Sequence, residues 1–163
     1  MSIREASKKD WNAIWPIFHE IVAAGETYAY ERDTSKQQGQ NIWLDIPRKT
    51  YVFCDNNNNN EILGTYYLKT NHAGPGSHVC NCGYMVSSKA RGRGLATSMC
   101  EHSQTMAVEL GYQAMQFNFV ASSNAGAIRL WQKLGFDIVA KLPKAFNHPA
   151  EGYIDALVMY KWF

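Results

Sequence analysis

Arginine and glycine alternate in Arg91-Gly92-Arg93-Gly94-Leu95-Ala96, and that pattern is able to hold phosphate. The segment follows Tyr84-Met85-Val86 and opens an apolar-periodic stretch reaching Leu110. A strand thus leads into a short loop, and the loop into a helix. The first N–H groups of a helix have no partner within it. Aligned peptide dipoles add roughly half a positive charge at that end. Gly92 and Gly94 remove the side chains that would keep an anion off those N–H groups. Arg91 and Arg93 add cationic charge at the rim. The ligand that suits this arrangement is a pyrophosphate.

Other nucleotide loops fit less well. A dinucleotide fingerprint needs a third glycine or alanine two spacers after Gly94, where Thr97 stands. A P-loop needs Gly-Lys-Ser/Thr, which is missing. An arginine-glycine nucleic-acid segment is longer and does not open a helix. On the glycine pattern alone, a flexible loop with two solvated arginines remains an open alternative.

The elements that must position this loop follow from periodicity. Ile3–Ala6 reads as a strand, and Ser7 with Asp10 as a capping box opening a helix to about Ala24. A tyrosine-bearing loop covers Gly25–Arg32, and a second helix covers Thr34–Leu44. Tyr51–Cys54 and Ile62–Leu68 make a hairpin with its tip at Asn56–Asn60. His78–Val86 is a strand, Gly94–Leu110 a helix, Ala114–Val120 a strand and Asn124–Leu134 a helix. Phe136–Leu142 and Tyr153–Trp162 are the last two strands. The order predicts one mixed α/β domain over residues 1–163, built in three layers.

Two motifs together carry a family resemblance. Arg91-x-x-Gly94-x-Ala96 resembles the Q/R-x-x-G-x-G/A signature of the general-control-related N-acetyltransferase (GNAT) superfamily. Asn124-x-x-Ala127-x-x-Leu130-Trp131-x-x-x-Gly135-Phe136 resembles that family's second cofactor segment. Agreement of both motifs with the element order is far more specific than either motif alone. The resemblance implies a three-layer α/β/α fold whose mixed, mostly antiparallel sheet is splayed between its fourth and fifth strands. It implies acetyl-coenzyme A as co-substrate and direct attack by an amine on the thioester. It places Met85, Val86, Arg91, Gly92, Arg93, Gly94, Leu95, Ala96, Thr97, Asn124, Ala127 and Trp131 at the cofactor. A backbone N–H near Met85 or Val86 becomes the oxyanion donor.

This sequence departs from the family pattern at two points. Trp131 stands where a tyrosine usually protonates the departing thiolate, and an indole N–H is no useful proton source. Asn81 stands near the usual glutamate of the fourth strand. With Asn118 across the gap, it is expected to orient the substrate or simply to satisfy local backbone. Glu31 is a candidate base, with Glu26, His78 and Asp155 as further ones. Ala24–Tyr30 resembles the substrate loop of phosphinothricin-type amino-acid acetyltransferases. Leu142–Pro149 with Gly152–Ala156 resembles a subgroup that includes the yeast proline-analogue enzymes. Both imply a small amino acid or toxic analogue as acceptor, met by Glu26, Tyr28, Tyr30, Phe146 and Tyr153. Those aromatic residues equally suit a hydrophobic lid.

Composition bounds the alternatives. Hydrophobic residues make up 46% and charged residues 18%, as expected of a packed globule. A net charge of +2 gives no argument for nucleic acid or an anionic membrane. No apolar run nears the ~20 residues of a membrane span, and the first residues lack a signal-peptide core. Cys54, Cys80, Cys82 and Cys100 show no disulfide framework, so reduced thiols in a cytoplasm are expected. A metal site from Cys80, Cys82, His72 and His78 lacks the usual two-residue spacer, and no metal is expected. The family's habits imply a homodimer. A coenzyme A-binding sensor without activity and a protein N-terminal acetyltransferase are the competing readings.

Overall fold

The computed structural model describes residues 1–163. The Ser7 N–H donates to Asp10 Oδ2 at 2.7 Å, closing the expected capping box. A single 3-10 turn then feeds α1 (Trp11–Ala24). Trp11, Ile14, Ile17, Phe18 and Val22 recur at helical spacing and are all buried. Gly25 ends α1 in the left-handed region at φ 70°.

The helix expected over residues 34–44 is divided. It begins at a second capping box, in which the Ser35 N–H donates to Gln38 Oε1 at 2.9 Å. The regular part is α2 (Lys36–Gln40), and Asn41–Asp45 form a π-helical turn. That turn carries Trp43, which has no exposed surface and donates from Nε1 to Thr65 Oγ1 at 3.1 Å.

The seven strands are β1 (Ser2–Glu5), β2 (Lys49–Asp55), β3 (Glu61–Thr70), β4 (Val79–Val86), β5 (Ala114–Ala121), β6 (Asp137–His148) and β7 (Gly152–Trp162). They form one sheet in the order β1-β2-β3-β4-β5-β7-β6. Every pair is antiparallel except β4 with β5. Asn59 and Asn60 take positive φ at the β2–β3 tip, as the asparagine run predicts.

Strand alternation sends side chains to two cores. Trp43, Val52, Tyr67 and Met85 join the apolar stripe of α1 on one face. Tyr66, Cys80, Cys82, Met115 and Phe117 lie on the other, under α3 (Leu95–Glu109) and α4 (Ala125–Lys133). The result is the expected three-layer mixed α/β domain. No helix is long and apolar enough to cross a membrane.

One boundary is corrected. The strand expected to stop at Leu142 runs on to His148, so Leu142–His148 is hairpin and not a free loop. A bulge between Leu142 and Phe146 interrupts its pairing, with Lys144 at φ 52°. Asp155 Oδ1 accepts the Lys144 N–H at 2.9 Å and so satisfies a group the bulge would strand. Pro143 removes a ladder donor and hides the strand in the sequence.

The expected split lies between β4 and β5. The two strands pair only from Val79, Cys80 and Asn81 to Ala114, Met115 and Gln116. Beyond that register they part.

Trp43 supports the wall of this split, since its ring meets Tyr67 edge-on at 4.8 Å. Thr65→Val leaves the buried indole N–H without an acceptor and is expected to cost about 2 kcal/mol in urea unfolding. Combined with Trp43→Phe, which removes that donor, it should cost less than the two single changes added together.

Candidate active site

Gly92 and Gly94 adopt φ 74° and 79°, where side chains are strained. Nothing lies within 4 Å of a Cβ placed on either residue, so the space above the start of α3 is open. No side chain caps that helix, and its first N–H groups are left for a ligand. Arg91 is exposed and has no ion-pair partner, whereas Arg93 lies 3.6 Å from Asp55. Leu95 is buried and anchors the helix, so it offers only its backbone. Ala96 and Thr97 are half-buried in the first turn. This cradle fits a pyrophosphate.

From Arg91 a cleft of about 570 Å³ runs into the β4–β5 split. Asn124, Ala127 and Trp131 line its α4 side. Asn124 also caps α4, accepting the Ala127 N–H at 3.3 Å. Trp131 is buried against Tyr84 and Phe117, with ring centroids 4.9 and 5.2 Å away.

Strand parity decides which backbone groups face the cleft. Val79 and Ser87 hydrogen-bond towards β3, through Asn71 and Leu63. In an antiparallel ladder alternate residues turn to the same neighbour. Odd-numbered residues of β4 therefore face β3, while Cys82, Tyr84 and Val86 turn their N–H and C=O groups to the gap. Val86 lines the cleft as expected, and Met85 does not. Met85 is 1% exposed, packs beneath α1, and its backbone serves the β3 ladder. Tyr84 replaces it as a source of backbone groups.

At the inner end Asn81 is buried, and both ends of its amide are hydrogen-bonded. Its Oδ1 accepts the Tyr67 hydroxyl at 2.8 Å, and its Nδ2 donates to the Gln116 carbonyl at 3.0 Å. Asn118 lines the same cleft but bonds to Gln116 Nε2 and Asn71 Oδ1, at 2.8 and 2.7 Å. The two asparagines share the cleft without a hydrogen bond between them.

Tyr28 reaches over the sheet and donates its hydroxyl to the Tyr84 carbonyl at 2.8 Å. Gly83 makes this approach possible. A Cβ there would sit 2.8 Å from the Tyr67 ring and 3.2 Å from the Tyr28 hydroxyl. Burial pushes the Tyr28 phenol well above its ordinary pKa, and the Tyr84 phenol likewise. Tyr84 also hydrogen-bonds Ser103 Oγ at 2.7 Å, on the far face of the sheet. Tyr30 and Glu26 line the cleft.

Several expected residues lie elsewhere. Glu31 is exposed and outside the lining, with its backbone carbonyl taken by Thr34. Tyr153 is 71% exposed on the outside of the hairpin. Asp155 holds the β6 bulge, and the exposed His78 bonds the Pro75 carbonyl. Phe146 lines a neighbouring pocket. Cys80 and Cys82 are buried under α3, and His72 and His78 are exposed, so these four residues do not converge. Burial lifts the Cys80 thiol to about 12.

The cleft also holds Glu20, Tyr67, Lys69 and Phe117, which no motif marks. Tyr67 and Lys69 stand two apart on β3 and so share a face. Their spacing was readable, but their distance from the split was not.

Comparison with known proteins agrees with this geometry. The model of the acetyltransferase (GNAT) family matches residues 11–136. N-acetyltransferase aca1 of Schizosaccharomyces pombe is 34% identical over 100 residues, covering 60% of this chain and 47% of that protein. The chain thus spans about half the length of that relative. A GCN5-related N-acetyltransferase structure from Kribbella flavida is 38% identical, with TM-score 0.93, over 99% of this chain and 97% of that one. A phosphinothricin acetyltransferase from Sinorhizobium meliloti, in complex with AcCoA, shares the fold. Its TM-score is 0.87 at 17% identity, over 99% of this chain and 88% of that one. The chain belongs to the acetyltransferase (GNAT) family, whose members use acetyl-CoA.

Proposed function

We propose that this protein transfers acetyl from acetyl-CoA to the amine of a small molecule, an amino acid or an analogue of one. The observation that carries the reading is the early end of β4–β5 pairing, next to an uncapped, glycine-opened helix. Acetyl-CoA supplies the activated acyl carbon. Arg91 and the backbone from Gly92 to Thr97 hold its pyrophosphate. Asn124, Ala127 and Trp131 flank it on the α4 side. The N–H groups of Tyr84 and Val86 face the gap and are placed to stabilise a developing oxyanion. Asn81 fixes the inner end of the gap and Asn118 lines it.

Proton traffic follows from what is absent among the side chains. An alkylammonium is mostly protonated at neutral pH, so the amine must lose a proton before attack. Glu26 is an acidic side chain of the acceptor loop in the cleft, and it takes this proton through water. Tyr28 and Tyr84 are phenols raised above their usual range. Neither phenol is a ready acid for a thiolate, so the coenzyme A sulfur leaves as the thiolate and takes its proton from bulk solvent after release, while the amine proton passes through Glu26 to solvent.

We also place a homodimer contact on the sheet edge. Residues 137–145 of β6 are all exposed and include Ile138, Val139 and Leu142. A long apolar edge invites cover. Four free, buried thiols suit a reducing compartment such as the cytoplasm.

Titration of thiol released from acetyl-CoA across a panel of amino acids and simple amines tests the activity. Release with at least one amine is expected. Acetyl-CoA binding by calorimetry without turnover would instead favour a sensor, the reading that Trp131 keeps in view. Gly94→Val should weaken acetyl-CoA binding by about tenfold or more, because φ 79° is strained for valine and the cradle is filled. Gly83→Ala should displace Tyr28 and lower kcat while acetyl-CoA still binds. Light scattering should give twice the chain mass, and Val139→Lys should return a monomer.

A further inference from the structure

A second pocket of about 480 Å³ adjoins the cleft and shares Tyr28, Ala29, Tyr30 and Phe119 with it. Its outer wall is the tip of the β6–β7 hairpin. Aromatic rings make its sides: Tyr28 stacks on Tyr30 at 5.5 Å, and Phe119 meets Phe146 at 6.0 Å. Nothing in the acetyl-CoA site uses this space.

Two polar groups line the pocket without protein partners for all their donors. His148 is 8% exposed. Its Nδ1 accepts the N–H groups of Ala150 and Glu151, each at 3.2 Å. A ring nitrogen that accepts carries no proton, so the neutral ring holds its proton on Nε2. That N–H has no acceptor in the protein and is not sealed from the pocket. Arg32 is the second group. Its Nε donates to the Ala23 carbonyl at 2.8 Å, which fixes the root of the guanidinium. Its remaining N–H groups have no carboxylate within ion-pair distance. Gly25 lies directly beneath: a Cβ there would come 2.8 Å from Arg32 Cδ. The αL cap of α1 thus leaves room for the arginine stem against the pocket.

We propose that this pocket binds a carboxylate of the acceptor, held by the Arg32 guanidinium and the His148 Nε2–H. The word acceptor rests on the acetyl-transfer reading above. A guanidinium fork matches the two oxygens of a carboxylate. The histidine N–H, nine-tenths buried, gains an acceptor only when an oxygen enters. An amide offers one neutral acceptor oxygen in place of two charged ones, and a second ammonium offers none, so neither pairs both groups as a carboxylate does. The substrates are therefore amines that carry a carboxylate, which is either the α-carboxylate of an amino acid or one on its side chain.

Two substrate pairs separate those sources. L-leucine against L-leucinamide reports the α-carboxylate, and L-glutamate against L-glutamine reports the side chain. The wild-type protein should favour the carboxylate member of at least one pair by about tenfold or more in KM. Arg32→Gln should remove most of that preference. It should leave the KM for acetyl-CoA and for the uncharged member within about twofold. His148→Phe should act in the same direction, with thermal unfolding measured beside it to register any loss in the hairpin turn. Equal use of both members in both pairs overturns the proposal while acetyl transfer stands. A variant that weakens charged and uncharged members alike also overturns it. If no amine at all is acetylated, the acetyl-transfer reading fails. Calorimetric binding of the four compounds then decides the pocket: selective uptake of a carboxylate member supports it, and no selectivity overturns it.

Discussion

The hydrogen bond from Asn81 Nδ2 to the Gln116 carbonyl lies at the last register where β4 and β5 pair. The Asn81 amide adds a side-chain tie to the backbone pairing at that register. Beyond this tie the two strands part. Tyr67 fixes the same asparagine from the other side. Everything useful in the molecule follows from that parting. It frees the backbone of Tyr84 and Val86, opens the cleft, and lets Tyr28 reach the Tyr84 carbonyl.

The two cores do different work around the opening. Under α3 and α4, Trp131, Tyr84 and Phe117 close-pack and give the cleft one stiff aromatic wall. On the α1 side, Tyr28, Trp43 and Tyr67 form a second aromatic group linked by the Trp43–Thr65 bond. Gly83 lies between them, and its missing side chain is filled by the Tyr67 ring and the Tyr28 hydroxyl. Rigid walls of this kind suit a reaction that depends on placement and backbone donors, with little help from ionisable side chains.

The glycine-opened start of α3 and the fold were legible because both rest on local rules. Glycines at a helix start, capping residues and hydrophobic periods are each written within a few residues. The Ser7–Asp10 box and the asparagine tip appear where the chain predicts them, and the helix expected from Asn124 begins there, with Asn124 as its cap. Long-range placement was not legible. Met85 and Val86 are adjacent, and only the β3 pairing shows that Val86 faces the gap. Glu31 and Glu26 lie in one loop, and only the turn after Gly25 decides which of them lines the cleft. The strand runs on past a proline, and its bulge at Lys144 engages Asp155 away from the cleft lining. Arg32 belongs to no motif, and only tertiary folding brings it to the pocket that His148 also lines.

A structure with acetyl-CoA bound tests the central claim most directly. The account predicts its pyrophosphate on the N–H groups from Gly92 to Thr97. It predicts the thioester arm between β4 and β5, hydrogen-bonded to the backbone of Tyr84 and Val86, with the Asn81–Gln116 bond kept. An arm lying outside the gap, or β4 and β5 paired beyond Asn81, would contradict it.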